Sequence, residues 1–164
     1  MIQDMDRRGT GEDKYLLMSE RVQGGVAYKI GNNTVSIPND IVTNIAFPDL
    51  VNKIGVDIVT PTDNYTTFTT LEAGGYIIFV SARINYAASS RRTIGIAVND
   101  ISYEVTQVMS ITTPGGTTQL SASGFHILEA GDKISGICWQ DSGTTVTLPG
   151  SSPQGSRISI VKLF

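Results

Sequence analysis

The side chains able to do chemistry in this sequence are few and scattered. His126 is the only histidine, so no His-pair metal site and no H-E-x-x-H motif can form. It follows Phe125 in an apolar run before a turn, the setting of a packed or surface histidine. The lone cysteine, Cys138, sits beside Trp139 in a strand, where a small buried thiol is the ordinary expectation. No G-x-S-x-G elbow occurs. Glu72, Asp100, Glu104, Glu129, Asp132 and Asp141 could meet in space as paired carboxylates. Most of them fall in or beside turns, where acidic residues are common anyway. Asp132 and Asp141 could also help to hold calcium at one end of the fold, although solvated turn acids fit them as well. Gly24-Gly25, Gly74-Gly75 and Gly115-Gly116 are not phosphate loops, because none runs into Lys-Ser/Thr and a helix. The expectation is a protein that is not an enzyme and needs no cofactor or metal.

The elements that carry these residues are strands. Hydrophobic residues make up 40% of the 164, and charged residues only 16%. The usual charged share is about 25%, and Thr, Ser and Gly fill the gap, which favours strands and turns. Apolar and turn-forming stretches alternate at 26–30, 34–37, 41–47, 54–59, 65–71, 75–86, 93–98, 102–111, 117–129, 133–140, 144–148 and 157–164. This spacing predicts an all-β sandwich or barrel. Pro38, Pro48 and Pro61 belong at strand ends or edges, and Asn99-Asp100 forms a turn that accepts left-handed backbone. Leu71-Glu72-Ala73-Gly74 recurs as Leu128-Glu129-Ala130-Gly131, each before a long strand, and could mark two equivalent corners.

The strand over 75–86 is the most informative. One alternation, Tyr76, Ile78, Val80, Ala82, Ile84 and Tyr86, is apolar throughout and faces a core. The other begins Ile77, Phe79 and turns polar at Ser81, Arg83 and Asn85. A solvated outer face should be polar along its whole length, so Ile77 and Phe79 call for a cover. Another subunit can supply it, and so can the N-terminal segment.

Residues 1–21 hold nine of the 27 charged residues, which marks a segment outside the core. Thr10 and Asp13 resemble a helix N-cap, with Tyr15, Leu16, Leu17 and Met18 as the apolar side of a short helix over 11–21. The segment 1–25 reads either as an arm that folds onto a partner or as a tail that closes its own domain, 26–164. A net charge of −3 leaves no basic footprint for nucleic acid or an anionic membrane. The polar N-terminus is no secretory signal, and one cysteine allows no internal disulfide. The sequons at Asn32 and Asn64 read as coincidence without a secretory route.

Several segments resemble the jelly-roll domain of the complement q-component heads and tumour necrosis factor. NIAFPDLVNKIG (44–55) looks like that family's opening strand and loop. NYTTFTTLEAGGYIIF (64–79) is similar to its aromatic strand, Gly turn and long strand. IGIAVND (94–100), LEAGDKISGICWQDSG (128–143) and RISIVKLF (157–164) match further strands. The resemblance covers about 41–164. It implies a two-sheet jelly roll forming trimers, with Phe68, Tyr76, Phe79 and Trp139 as candidates for the inter-subunit surface, to which the outer face of the long strand adds Ile77. The missing signal peptide, Gly-x-y stalk and paired cysteines point away from the secreted members. Virion proteins of bacterial viruses use similar domains. The expectation is therefore a homotrimeric capsid decoration protein on the outer capsid surface, synthesised in the host cytoplasm. Its arm, through Arg7, Arg8, Tyr15, Leu16, Leu17 and Met18, would bind the viral major capsid protein. The alternative is the head of a phage fibre, binding a host cell-surface glycan through loops at 89–92, 112–118 and 149–156. A stand-alone lectin or soluble ligand is a third reading.

Overall fold

The computed structural model describes residues 23–31, 34–85, 90–110, 117–150 and 155–164. Every strand pairing in it is antiparallel. The first sheet runs in the order β10 (Thr117–Leu128), β7 (Gly74–Asn85), β13 (Arg157–Lys162), β1 (Gly24–Lys29), β4 (Asp49–Gly55). The second runs β5 (Val59–Thr62), β6 (Thr67–Thr70), β11 (Lys133–Gln140), β8 (Ser90–Val98), β9 (Ile101–Ser110), with β3 (Thr43–Asn44) also beside β11. A small ribbon pairs β2 (Val35–Ile37) with β12 (Val146–Leu148). The two large sheets form an all-β jelly-roll sandwich, as the spacing of strands and turns leads one to expect.

Alternation decides what fills it. Tyr76, Ile78, Val80, Ala82 and Ile84 of β7 are buried, and so are Ile158 and Ile160 beside them on β13. Ile94, Ile96 and Val98 of β8, with Ile134 and Cys138 of β11, face them from the second sheet. Gly136 lies among them because a Cβ there would come within 3.0 Å of the Phe47 ring and 3.1 Å of Val80.

Three boundaries differ from the sequence expectation. β4 starts at Asp49, directly after Pro48, and runs to Gly55, while 56–58 leave the strand. β5 runs Val59–Thr62, past the expected end at Val59, and takes in Pro61, which stands on an edge strand as expected and needs no donor on its free side. β8 begins at Ser90, so residues 90–92 of the anticipated polar tip are strand.

The corners behave as their sequences suggest. Asn99 (φ 50°) and Asp100 (φ 65°) form the tight β8–β9 turn in left-handed backbone. The two Leu-Glu-Ala-Gly segments lie side by side at one end of the sandwich, one leading into each sheet. The Thr70 amide donates to Asp132 O at 2.9 Å, and Gly131 N donates back to Thr70 O at 2.9 Å. Asp132 secures this corner by accepting from Asn99 Nδ2 and Glu129 N, both at 2.8 Å. The Asn99 hydrogen bond is the chief reason its carboxyl is held below the usual carboxylate range.

Candidate functional site

The outward face of the first sheet departs most from what a solvated sheet should show. The strand registers place its residues in rows that cross all five strands. One row runs Phe125, Ile77, Val161, Gly25, Ile54, and the next runs Ser123, Phe79, Ser159, Ala27, Asn52. Only the third row, Ser121, Ser81, Arg157, Lys29, becomes ionic. One end of the face is therefore apolar and the other charged. Ile77 is 43% exposed, Phe125 52%, Ile127 64%, Phe164 60% and Ile54 61%. Together they present on the order of 500 Å² of apolar surface, the size of the largest patch on a typical monomer, which is often functional.

The relief of this face follows from side-chain size. At the β10 edge, Phe125 and Phe164 form a tilted aromatic pair with centroids 6.5 Å apart, and Ile127 stands beside them. Gly75 makes the pair possible: a Cβ there would lie 2.6 Å from the Phe164 ring and 3.0 Å from Phe125. Gly74 next to it must also be glycine, since its Cβ would collide with the Phe164 carbonyl. The backbone completes the seat, with Gly75 N donating to Phe164 O at 3.1 Å and Leu163 N to Gly75 O at 2.8 Å. Across the sheet the bulk vanishes. Gly25, Ala27 and Ser159 floor a recess of about 180 Å³, walled by Val161, Ile54 and Asn52.

The five candidates for the inter-subunit surface separate into three places. Phe68 and Tyr76 are fully buried inside this chain and offer nothing to a partner, a correction to their expected role. Phe68 packs on Tyr28 at 4.9 Å between ring centroids. The Tyr76 hydroxyl donates to Glu72 O at 2.7 Å, and burial, then the Glu72 charge, raises its pKa. Ile77 and Phe79 lie on the outward face just described. Trp139 lies on the outward side of the other sheet, opposite Thr93, so it shares no surface with Ile77. Its ring carries the Arg91 guanidinium at 5.4 Å, and Arg91 is held by Asp141 at 2.7 Å. Phe125, Ile127, Val161 and Phe164 were not among the candidates. Their signal was in the sequence: Ser121, Ser123, Phe125 and Ile127 repeat the polar-to-apolar switch seen along β7.

Arg7, Arg8, Tyr15, Leu16, Leu17 and Met18, and the expected helix over 11–21, lie outside the described residues, as do 112–116 of the loop at 112–118 and 151–154 of the loop at 149–156. Among the described residues no group of three or more His, Cys, Asp or Glu could hold a metal ion. Asp132 and Asp141 flank the eight residues of β11, about 30 Å apart along the strand, and cannot share a calcium ion. Cys138 is buried, which pushes its thiol pKa up to about 12 and leaves it protonated and unreactive. His126 is half-buried on β10 opposite Tyr76. Glu72 is engaged by the buried Lys162 ammonium.

No protein-family model matches the sequence, and a search of curated proteins finds no match either. Solved structures do match. An Eiger TNF from S. frugiperda superposes with a TM-score of 0.55 at 14% identity, over 88% of this chain and 94% of that one. Murine APRIL, in a crystal structure at pH 5.0, superposes with a TM-score of 0.63 at 15% identity, over 85% of this chain and 98% of that one. A second murine APRIL structure, at pH 8.5, gives 0.59 at 14% identity, over 85% and 99%. At this identity the likeness is one of fold: the chain has the TNF-like jelly roll.

Proposed function

We propose that this chain is a non-enzymatic virion protein, a homotrimer that decorates the outer surface of a capsid and is made in the host cytoplasm. The observation that carries the reading is the apolar outward face of the first sheet. An aromatic and aliphatic patch gathered on one sheet face is explained most simply as an interface between copies. The TNF-like fold supports three as their number, through the trimers that the resemblance implies. The charge-rich segment preceding Gln23 then serves as the attachment arm, and its Tyr15–Met18 cluster and Arg7-Arg8 pair bind the major capsid protein. Three weak attachments joined in one particle hold by multivalency, so modest contacts suffice to reinforce a shell.

Deleting residues 1–22 tests the reading. The cut stops there because Gly24 and Gly25 already pair with Lys162 and Val161. The truncated protein should keep its native mass and lose co-sedimentation with capsids. Undiminished capsid binding would defeat the attachment role.

Trp139 favours a second reading, the head of a phage fibre. Its partly exposed ring beside the Arg91–Asp141 pair offers a stacking surface with polar partners, the ordinary chemistry of a sugar site. Trp139→Ala would then abolish binding to intact host cells, whereas a decoration protein would not bind them at all. The Eiger and APRIL likenesses favour a third, a self-standing ligand, for which capsid addition would have no effect.

A further inference from the structure

We infer that the aromatic ridge of one copy, Phe125 with Phe164, seats in the glycine-floored recess over Gly25 and Ala27 of a neighbouring copy. The inference rests on the assembly reading above and specifies how two copies interlock. Ridge and recess lie in the same register rows, and bulk falls along them from Phe125 through Ile77 and Val161 to Gly25. A cavity of about 150 Å³ is enough to hold a benzene ring, so the recess of about 180 Å³ accepts a phenylalanine side chain. Within one copy the two features are three strand spacings apart, about 14 Å. Phe125 therefore cannot fill its own recess, and only another molecule can bring a ridge to it.

The polar chemistry agrees. Ser123 beside the ridge, Ser159 in the floor of the recess and Asn52 in its wall are uncharged, so these side chains bring no ion into the contact. The exposed apolar area, on the order of 500 Å², makes up much of the roughly 800 Å² per partner of a stable interface. The surrounding serines and Asn52 can complete it. A surface carrying both a knob and its socket needs no second kind of partner.

Gly25 permits a clean test on the full chain. A Cβ there would meet Val161 Cγ2 at 3.4 Å, an ordinary contact, and the position needs no left-handed backbone. Gly25→Val should leave the circular dichroism spectrum and thermal unfolding intact while filling the recess. By light scattering over a concentration series, association should weaken at least tenfold, and Phe125→Ser should do the same from the other side. The double variant Phe125→Cys/Ala27→Cys should form covalent multimers under mild oxidation. Each single variant should not, and Cys138 contributes no background because it is buried.

If the parent is multimeric but neither substitution weakens it and the double variant does not cross-link, the interlock is wrong while assembly stands. Covalent dimers from Phe125→Cys alone would show ridge meeting ridge, which also overturns it. A parent that stays at the mass of one chain at every concentration overturns both readings, and the recess is then closed from within the chain.

Discussion

At the scale of single residues, Cys138 shows how burial decides chemistry. A thiol whose pKa is pushed up to about 12 carries almost no thiolate near neutral pH. A thiol reagent at pH 8 should leave the native protein unmodified and react within minutes once denaturant opens the core; rapid labelling of native protein would contradict the buried placement. Phe68→Ala should cost about 3–5 kcal/mol in denaturant unfolding, because it empties a fully buried site against Tyr28. Asp132 gives a pH signature. Its carboxyl is depressed in the folded chain, so its contribution is present above the usual carboxylate pKa of about 3.9 and is lost as pH falls through the folded value. Asp132→Asn should lower Tm at pH 7 and narrow its gap to the parent at pH 3. The effect should be modest, since the group is largely solvated. Residues were legible here by face rather than by partner. Alternation told Tyr76 from Ile77, but membership of an interface depends on which alternation meets the second sheet, and one strand does not hold that information.

At the scale of elements, β7, β10, β11 and β13 were legible because alternation over eight or more residues, or turn glycines at their ends, fixed them. β4 was not. Its Leu50, Val51 and Ile54 are all exposed on an edge strand bulged at β1, so no period marks it. The Gly74-Gly75 pair was readable as a turn, but its purpose depends on Phe164, ninety residues away. A consequence can be measured. Gly131 (φ +93°) has open space around it, so Gly131→Ala meets only backbone strain, about 1 kcal/mol or 2–4 °C in Tm. Gly74→Ala must in addition displace the Phe164 backbone and should cost at least twice as much; equal costs would show that the C-terminal seat is not rigid.

At the scale of the whole molecule, the two surfaces proposed for contact differ in kind, and salt separates them. Contact between uncharged apolar faces should hold or tighten in about 1 M salt, whereas attachment through a charge-rich segment should weaken. Native mass and capsid co-sedimentation measured at both ionic strengths should therefore move in opposite directions. The sandwich was legible from strand count and turns; the asymmetric relief of its outward face was not, because it arises only when Phe125, Val161 and Gly25, from distant parts of the chain, fall into one row.

The position of β13 has a consequence for how the protein comes into being. β13 lies between β7 and β1, in the middle of its sheet. Until residues 157–162 have been synthesised, the first and seventh strands have no neighbour to join them, and the wall that carries the recess does not exist. This sheet therefore closes only once residues 157–162 are available, and closure is slowed by pairing strands far apart in sequence. A product that stops before β13 cannot complete the face by which copies would recognise one another, so in the proposed assembly the order of strands itself would keep such products out.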